Sequence, residues 1–113
     1  MHRERDSERI AILGHLPGEV LVSHSMAIRE IGVGGATVET SFPLHIDSLH
    51  EFRLTLQDGS VVLKGRVVHS SVIDLDQDTV VYRSGLEFVE VPPRVITALT
   101  DYVAGLKTRR SGA

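Results

Sequence analysis

Two arginines spaced Arg5-x-x-x-Arg9, followed about twenty residues later by Glu30-Ile31-Gly32-Val33-Gly34-Gly35, are the residues of this chain best suited to holding a ligand. A guanidinium presents a planar fork of donors that fits phosphate oxygens and the O6/N7 edge of guanine. Glycines, having no Cβ, let backbone amides come close to a bound group. Together the two elements suit an anionic guanine nucleotide. Taken singly, each has a plainer reading. R-x-x-x-R is common in solvated charged segments, and Asp6 and Glu8 stand ready as ion-pair partners. Gly32, Gly34 and Gly35 could equally punctuate a hairpin wherever φ is positive.

Other chemistry is poorly served. The glycine run is not a dinucleotide-binding fingerprint, because its third glycine position falls on Thr37 and no helical pattern follows; nor does a Gly-Lys-Ser/Thr close a phosphate loop. Asp74-x-Asp76-x-Asp78 begins like a calcium loop, but Thr79 stands where glycine is needed and Gly85 where the bidentate Glu belongs. The six histidines have no metal-ligand spacing on one element, and there is no cysteine. No Ser-His-Asp set stands out. The expectation is a binding protein without metal or cofactor, and not an enzyme.

The elements that must position these residues belong to one domain, since 113 residues with 42% hydrophobic content suffice for a single core. A net charge of −3 argues against a nucleic-acid polymer as partner, whose binding rests on neutralising many phosphates. A small anion needs only a local cluster, which Arg3, Arg5 and Arg9 supply. No apolar run approaches the roughly 18 to 20 residues that span a bilayer, and Met1-His2-Arg3-Glu4-Arg5-Asp6 is charged, so a cytoplasmic protein without membrane insertion is expected.

Short strands dominate the pattern. Ile10-Ala11-Ile12-Leu13 reads as a strand or extended entry, Pro17-Gly18 as a turn, and Glu19–Val22 and Met26–Ile31 as β segments around Ser23-His24-Ser25. Beyond the glycine turn, Ala36 and Val38 alternate with Thr37 and Glu39. Phe52, Leu54 and Leu56 then alternate with Arg53, Thr55 and Gln57 up to Asp58-Gly59, a hairpin dipeptide, and the return strand runs from Ser60 or Val61 to His69. A polar loop is expected over Asp74–Asp78, then a last strand through Val80, Tyr82, Leu86 and Phe88. Connections this short favour consecutive antiparallel strands in a small, closed or nearly closed barrel over a parallel sheet. After Pro92-Pro93 a helix is expected, with Val95, Ile96, Leu99, Tyr102, Val103 and Leu106 forming one apolar stripe. That stripe must pack on the barrel or on a second subunit, so a homo-oligomer is compatible with it. Thr108–Ala113 reads as a frayed tail.

With Arg5-x-x-x-Arg9 and Glu30-Ile31-Gly32-Val33-Gly34-Gly35-Ala36 in place, the chain resembles the PilZ domain family, whose pattern is R-x-x-x-R followed by D/N-x-S/A-x-x-G. Leu63-Lys64-Gly65-Arg66-Val67-Val68 and Tyr82-Arg83-Ser84-Gly85-Leu86-Glu87-Phe88 are similar to that family's later strands. The resemblance implies a six-stranded antiparallel β-barrel with a C-terminal helix, divided as an arginine-bearing, flexible segment 1–9, a barrel and helix over 10–107 and a tail 108–113. It also implies a receptor for the bacterial second messenger cyclic di-GMP that signals to a downstream protein. Arg5 and Arg9 would hold phosphates and the O6/N7 edge of guanine, and Glu30, at the Asp/Asn position, would accept from guanine N1 and N2. Gly32 replaces the usual Ser or Ala, so a hydroxyl is missing that Gly32→Ser would restore, whereas Gly35 fits. Arg3 could supplement the clamp. His69 lies where some members carry an aromatic residue and could stack on a base, although strand parity places it on the face of Leu63 and Val67. That parity favours a rim or half-buried histidine, and Arg66 and Arg83 read as solvent-facing strand residues. Because the second motif is degenerate, the competing implication is an interaction adaptor of the same fold that has lost nucleotide binding.

Overall fold

The computed structural model describes the backbone of residues 8–13, 16–20, 24–56, 59–75 and 79–112. Seven strands and one helix follow in order: β1 (Ile10–Ala11), β2 (Pro17–Val20), β3 (His24–Ile31), β4 (Gly35–Thr40), β5 (Leu49–Leu56), β6 (Gly59–Leu75), β7 (Val80–Val89) and α1 (Pro93–Gly112). Every pairing is antiparallel. The ladders run β3–β2–β5–β6–β7–β4, and a further ladder between β4 and β3 brings the order back to its start. This is the expected antiparallel architecture with a C-terminal helix. β1, a seventh strand beside the six that the resemblance implies, realises the strand or extended entry read at Ile10–Leu13 and is laid on β3 by Ile10↔Ile31 and Ala11↔Glu30.

Period-2 alternation sorts side chains between the two faces of the sheet. On β5, Phe52, Leu54 and Leu56 are buried while Arg53 and Thr55 are exposed. Ile28, Ile31, Val38, Val67 and Leu86 meet them in one cluster, which α1 joins through Val95 and Leu99. Pro92 accepts the first helical hydrogen bonds, from the amides of Val95 and Ile96, and Pro93 loses nothing by lacking an N–H in the first turn.

Several elements depart from the sequence reading, each for a physical reason. Pro17-Gly18 is not a turn but the start of β2, where a proline is tolerated at the first strand position. β6 does not stop at His69 but continues to Leu75, because β7 pairs with it as far as Leu75↔Val80. The ladder tolerates this through irregularities between Val67 and His69 and between Val72 and Asp74. The start of the expected Asp74–Asp78 loop is therefore strand, and residues 76–78 lie outside the described residues. The β5–β6 ladder ends at Leu56↔Gly59, so the expected hairpin turn falls on residues 57 and 58, also outside them. Within α1, Ile96 is 42% exposed and does not belong to the buried stripe. The helix also continues through the expected tail to Gly112. Apolar periodicity marks where a helix packs, not where its backbone hydrogen bonds end.

Candidate functional site

The site is assembled by strand register. Glu30 pairs with Thr37, Thr37 with Gly85, and Gly85 with His69, so these four residues form one row across β3, β4, β7 and β6. Neighbouring strands are about 4.8 Å apart, so the row spans roughly 14 Å. Because β1 pairs with the end of β3, Arg9 enters directly beside it. Its Nη1 donates to Thr37 Oγ1 at 3.2 Å and its Nη2 to the Leu86 carbonyl at 3.2 Å. Thr37 Oγ1 in turn donates to Glu30 Oε1 at 3.0 Å. One hydroxyl thus ties the arginine to the carboxylate, and Thr37 is only 7% exposed although it points away from the core.

The glycines make this close approach feasible. A Cβ on Gly32 would overlap the Glu8 carbonyl, and one on Gly35 would overlap the Leu86 carbonyl and stand 2.9 Å from Arg9 Nη2. Neither has positive φ; Gly59 is the described glycine that does. Gly32 and Gly35 are therefore needed for clearance and not, as the hairpin reading had it, for left-handed backbone. The turn itself is closed by Gly32 N–H donating to the Gly35 carbonyl at 2.9 Å, and Gly34 accepts from the Phe88 amide at 2.9 Å. The hydroxyl expected to be missing at Gly32 leaves no vacancy, since the Glu8 backbone occupies that space.

His69 shows the effect of the β6 bulge. The parity that grouped it with Leu63 and Val67 fails because Val68 is an extra residue between Val67↔Leu86 and His69↔Gly85. His69 is consequently exposed, and its ring lies so close over Gly85 that any Cβ there would strike it. Arg66 and Arg83 are strand residues held by surface ion pairs, Arg66 with Asp47 and Glu87, Arg83 with Glu39 at 2.7 Å. Hydrogen bonding and charge from Glu87, then from Asp47, raise the Arg66 pKa against the opposing effect of burial, so it is a fixed cation. Arg9 differs from both: among the described residues its partners are a hydroxyl and a carbonyl, and no carboxylate pairs with it.

The structure thus brings Arg9, Glu30, Gly32 and Gly35 together and puts His69 at the far end of the same row, whereas Arg3 and Arg5 lie outside the described residues. Sequence reasoning missed Thr37, the Leu86 carbonyl and Gly85. Thr37 read as an ordinary outward strand residue, and only its register with Glu30 and Gly85 reveals its place. The segment is also tied to the helix, where Lys107 Nζ meets Glu8 Oε1 at 2.6 Å. Among the described residues no group of side chains could hold a metal ion, and no helix is long and apolar enough to cross a membrane.

Comparison with known proteins supplies the family. Among solved structures, the PilZ domain of YcgR from Escherichia coli with c-di-GMP superimposes with a TM-score of 0.76 at 17% identity, covering 96% of this chain and 95% of that one. The MrkH–c-di-GMP complex from K. pneumonia gives a TM-score of 0.75 at 19% identity over 98% of this chain and 55% of MrkH. Borreliella burgdorferi PlzA in complex with c-di-GMP gives 0.60 at 11% identity over 95% and 54%. The chain therefore spans about half the length of MrkH and PlzA. At these identities the likeness is one of fold. No match was found among the curated proteins. The family model for the PilZ domain matches residues 4–105, which takes in both motifs, the whole sheet and most of α1, and the chain belongs to the PilZ domain family.

Proposed function

We propose that this chain is a receptor module for cyclic di-GMP, with its site on the row Glu30–Thr37–Gly85–His69 under Arg9. The observation that carries the reading is the state of Arg9: a guanidinium held by neutral acceptors on a glycine-cleared face, in direct ion pair with no described carboxylate and linked to Glu30 only through the Thr37 hydroxyl. Phosphate is the natural counterpart of such a group. The structures of YcgR, MrkH and PlzA with c-di-GMP support the choice of ligand.

In this reading Arg9 and Arg5 take the phosphates and the O6/N7 edge of a guanine, with Arg3 as a further cation. Glu30 accepts from guanine N1 and N2, the backbone at Gly32 and Gly35 lets the base approach, and the His69 imidazole flanks the ligand at the other end of the row. Arg9 must give up the Leu86 carbonyl to reach the ligand, so binding re-orders the segment around Glu8 and Arg9. A partner protein then reads the altered surface, and no chemical step is involved. Giving up the Arg9 contact with the Leu86 carbonyl uses part of the interaction free energy, which sets a modest affinity.

Calorimetric titration with cyclic di-GMP tests this. Wild type should bind, and Arg9→Ala and Arg5→Ala should each weaken binding by roughly 10- to 100-fold, as expected for a lost charge-assisted contact. A folded wild-type protein that gives no heat at high micromolar ligand would replace the receptor with the ligand-free adaptor. Arginine variants that bind like wild type would move the site elsewhere.

A further inference from the structure

We propose a second binding site, independent of the nucleotide reading: a groove between α1 and the start of β6 that takes an extended acidic peptide as an added strand. Residues 59–63 of β6 pair with β5 on one edge, but β7 joins the other edge only from Lys64↔Val89 onward. After β7 the chain turns at Glu90, whose φ is 53°, and Pro92-Pro93 launches α1 past this edge, which no strand among the described residues pairs. Between helix and edge lies a groove of about 490 Å³, lined by Gly59, Ser60 and Val61 on one side and by helix residues including Ala98, Asp101 and Gly105 on the other. A sheet edge facing a helix is the geometry in which extended peptides bind by main-chain hydrogen bonds.

Charge selects the occupant. Arg94 and Arg109 both line this groove. Arg29, Arg66 and Arg83 are ion-paired and Arg9 is hydrogen-bonded, whereas Arg94 and Arg109 have no such partner among the described residues. Fifteen residues apart on one helix, their Cα atoms are separated by roughly 22 Å. That is too far for a single phosphate or a mononucleotide, but it equals about seven residues of extended chain. Asp101 sits between them and disfavours an acidic residue at the peptide's centre. The groove therefore fits a β-prone segment that carries a carboxylate near each end and a neutral or basic residue midway.

The probe is a fluorescein-labelled ten-residue peptide of alternating valine and threonine, with aspartate at its second and eighth positions and lysine at its sixth, all on one face of the strand, titrated by anisotropy against the full chain. Saturable binding is expected, weakened at least fivefold when the peptide's charges are inverted and at least tenfold in Arg94→Glu/Arg109→Glu. Gly105→Leu should abolish it: among the described residues outside the helix's own backbone, the nearest atom to a Cβ at Gly105 is Arg109 Nη1, at 3.9 Å, so the larger side chain fills the groove while improving helix propensity. Arg9→Ala should leave peptide binding unchanged, which separates this site from the nucleotide site. Absence of saturable binding at about 1 mM chain, or equal binding of the charge-inverted peptide or by Gly105→Leu, would overturn the proposal. So would a dimer of the chain itself that Gly105→Leu dissociates, because the occupant would then be a second copy.

Discussion

Thr37 carries a hydroxyl that accepts from Arg9 and donates to Glu30, so its loss uncouples the two groups assigned to phosphate and guanine. Thr37→Val keeps the shape and removes both bonds. Its expected effect is a stability loss of about 1–2 kcal/mol in denaturant unfolding and a several-fold weaker affinity for cyclic di-GMP by calorimetry. An unchanged affinity would make the bridge incidental. Gly32→Ser, which the sequence alone suggests as an improvement, should instead weaken binding and lower the melting temperature, because its Cβ overlaps the Glu8 carbonyl and pushes away the segment that bears Arg9. Tighter binding by this variant would refute the clearance argument. At this scale the sequence was legible where a residue type does one recognisable thing: it marked Arg9, Glu30 and Gly35, which the structure brings side by side. Thr37, Gly85 and the Leu86 carbonyl were not, because their roles come from which strands lie side by side.

The elements hold the site in two ways. α1 anchors the fold through Leu99, fully buried against the sheet. Leu99→Ala should cost about 2–5 kcal/mol in chemical denaturation, whereas Ile96→Ala, on the exposed side, should cost well under 1 kcal/mol. Equal losses would mean that the helix packs differently. The Lys107–Glu8 pair links α1 to the arginine-bearing segment, but both side chains are nearly half exposed. Lys107→Ala should therefore lower stability by less than about 1 kcal/mol, with the difference shrinking as salt is added. Strand positions were largely readable from alternation at Phe52, Leu54 and Leu56. The misplaced parity of His69 has one cause, the inserted Val68, since a bulge reverses every later inside–outside assignment without leaving a mark in composition.

For the molecule as a whole, the fold follows mainly from alternating apolar residues and one apolar helix stripe, and family membership from the match of the family model over residues 4–105. The ligand rests on a smaller set of atoms, and where it binds is the central claim. A titration of isotope-labelled protein with cyclic di-GMP, followed through its backbone amide resonances, tests it most directly. The account expects the largest shifts at Gly32–Thr37, at Gly85 and Leu86 and at His69, with residues 59–61 and Asp101–Gly105 unmoved. No shifts at saturating ligand, or shifts confined to the groove beside α1, would contradict it.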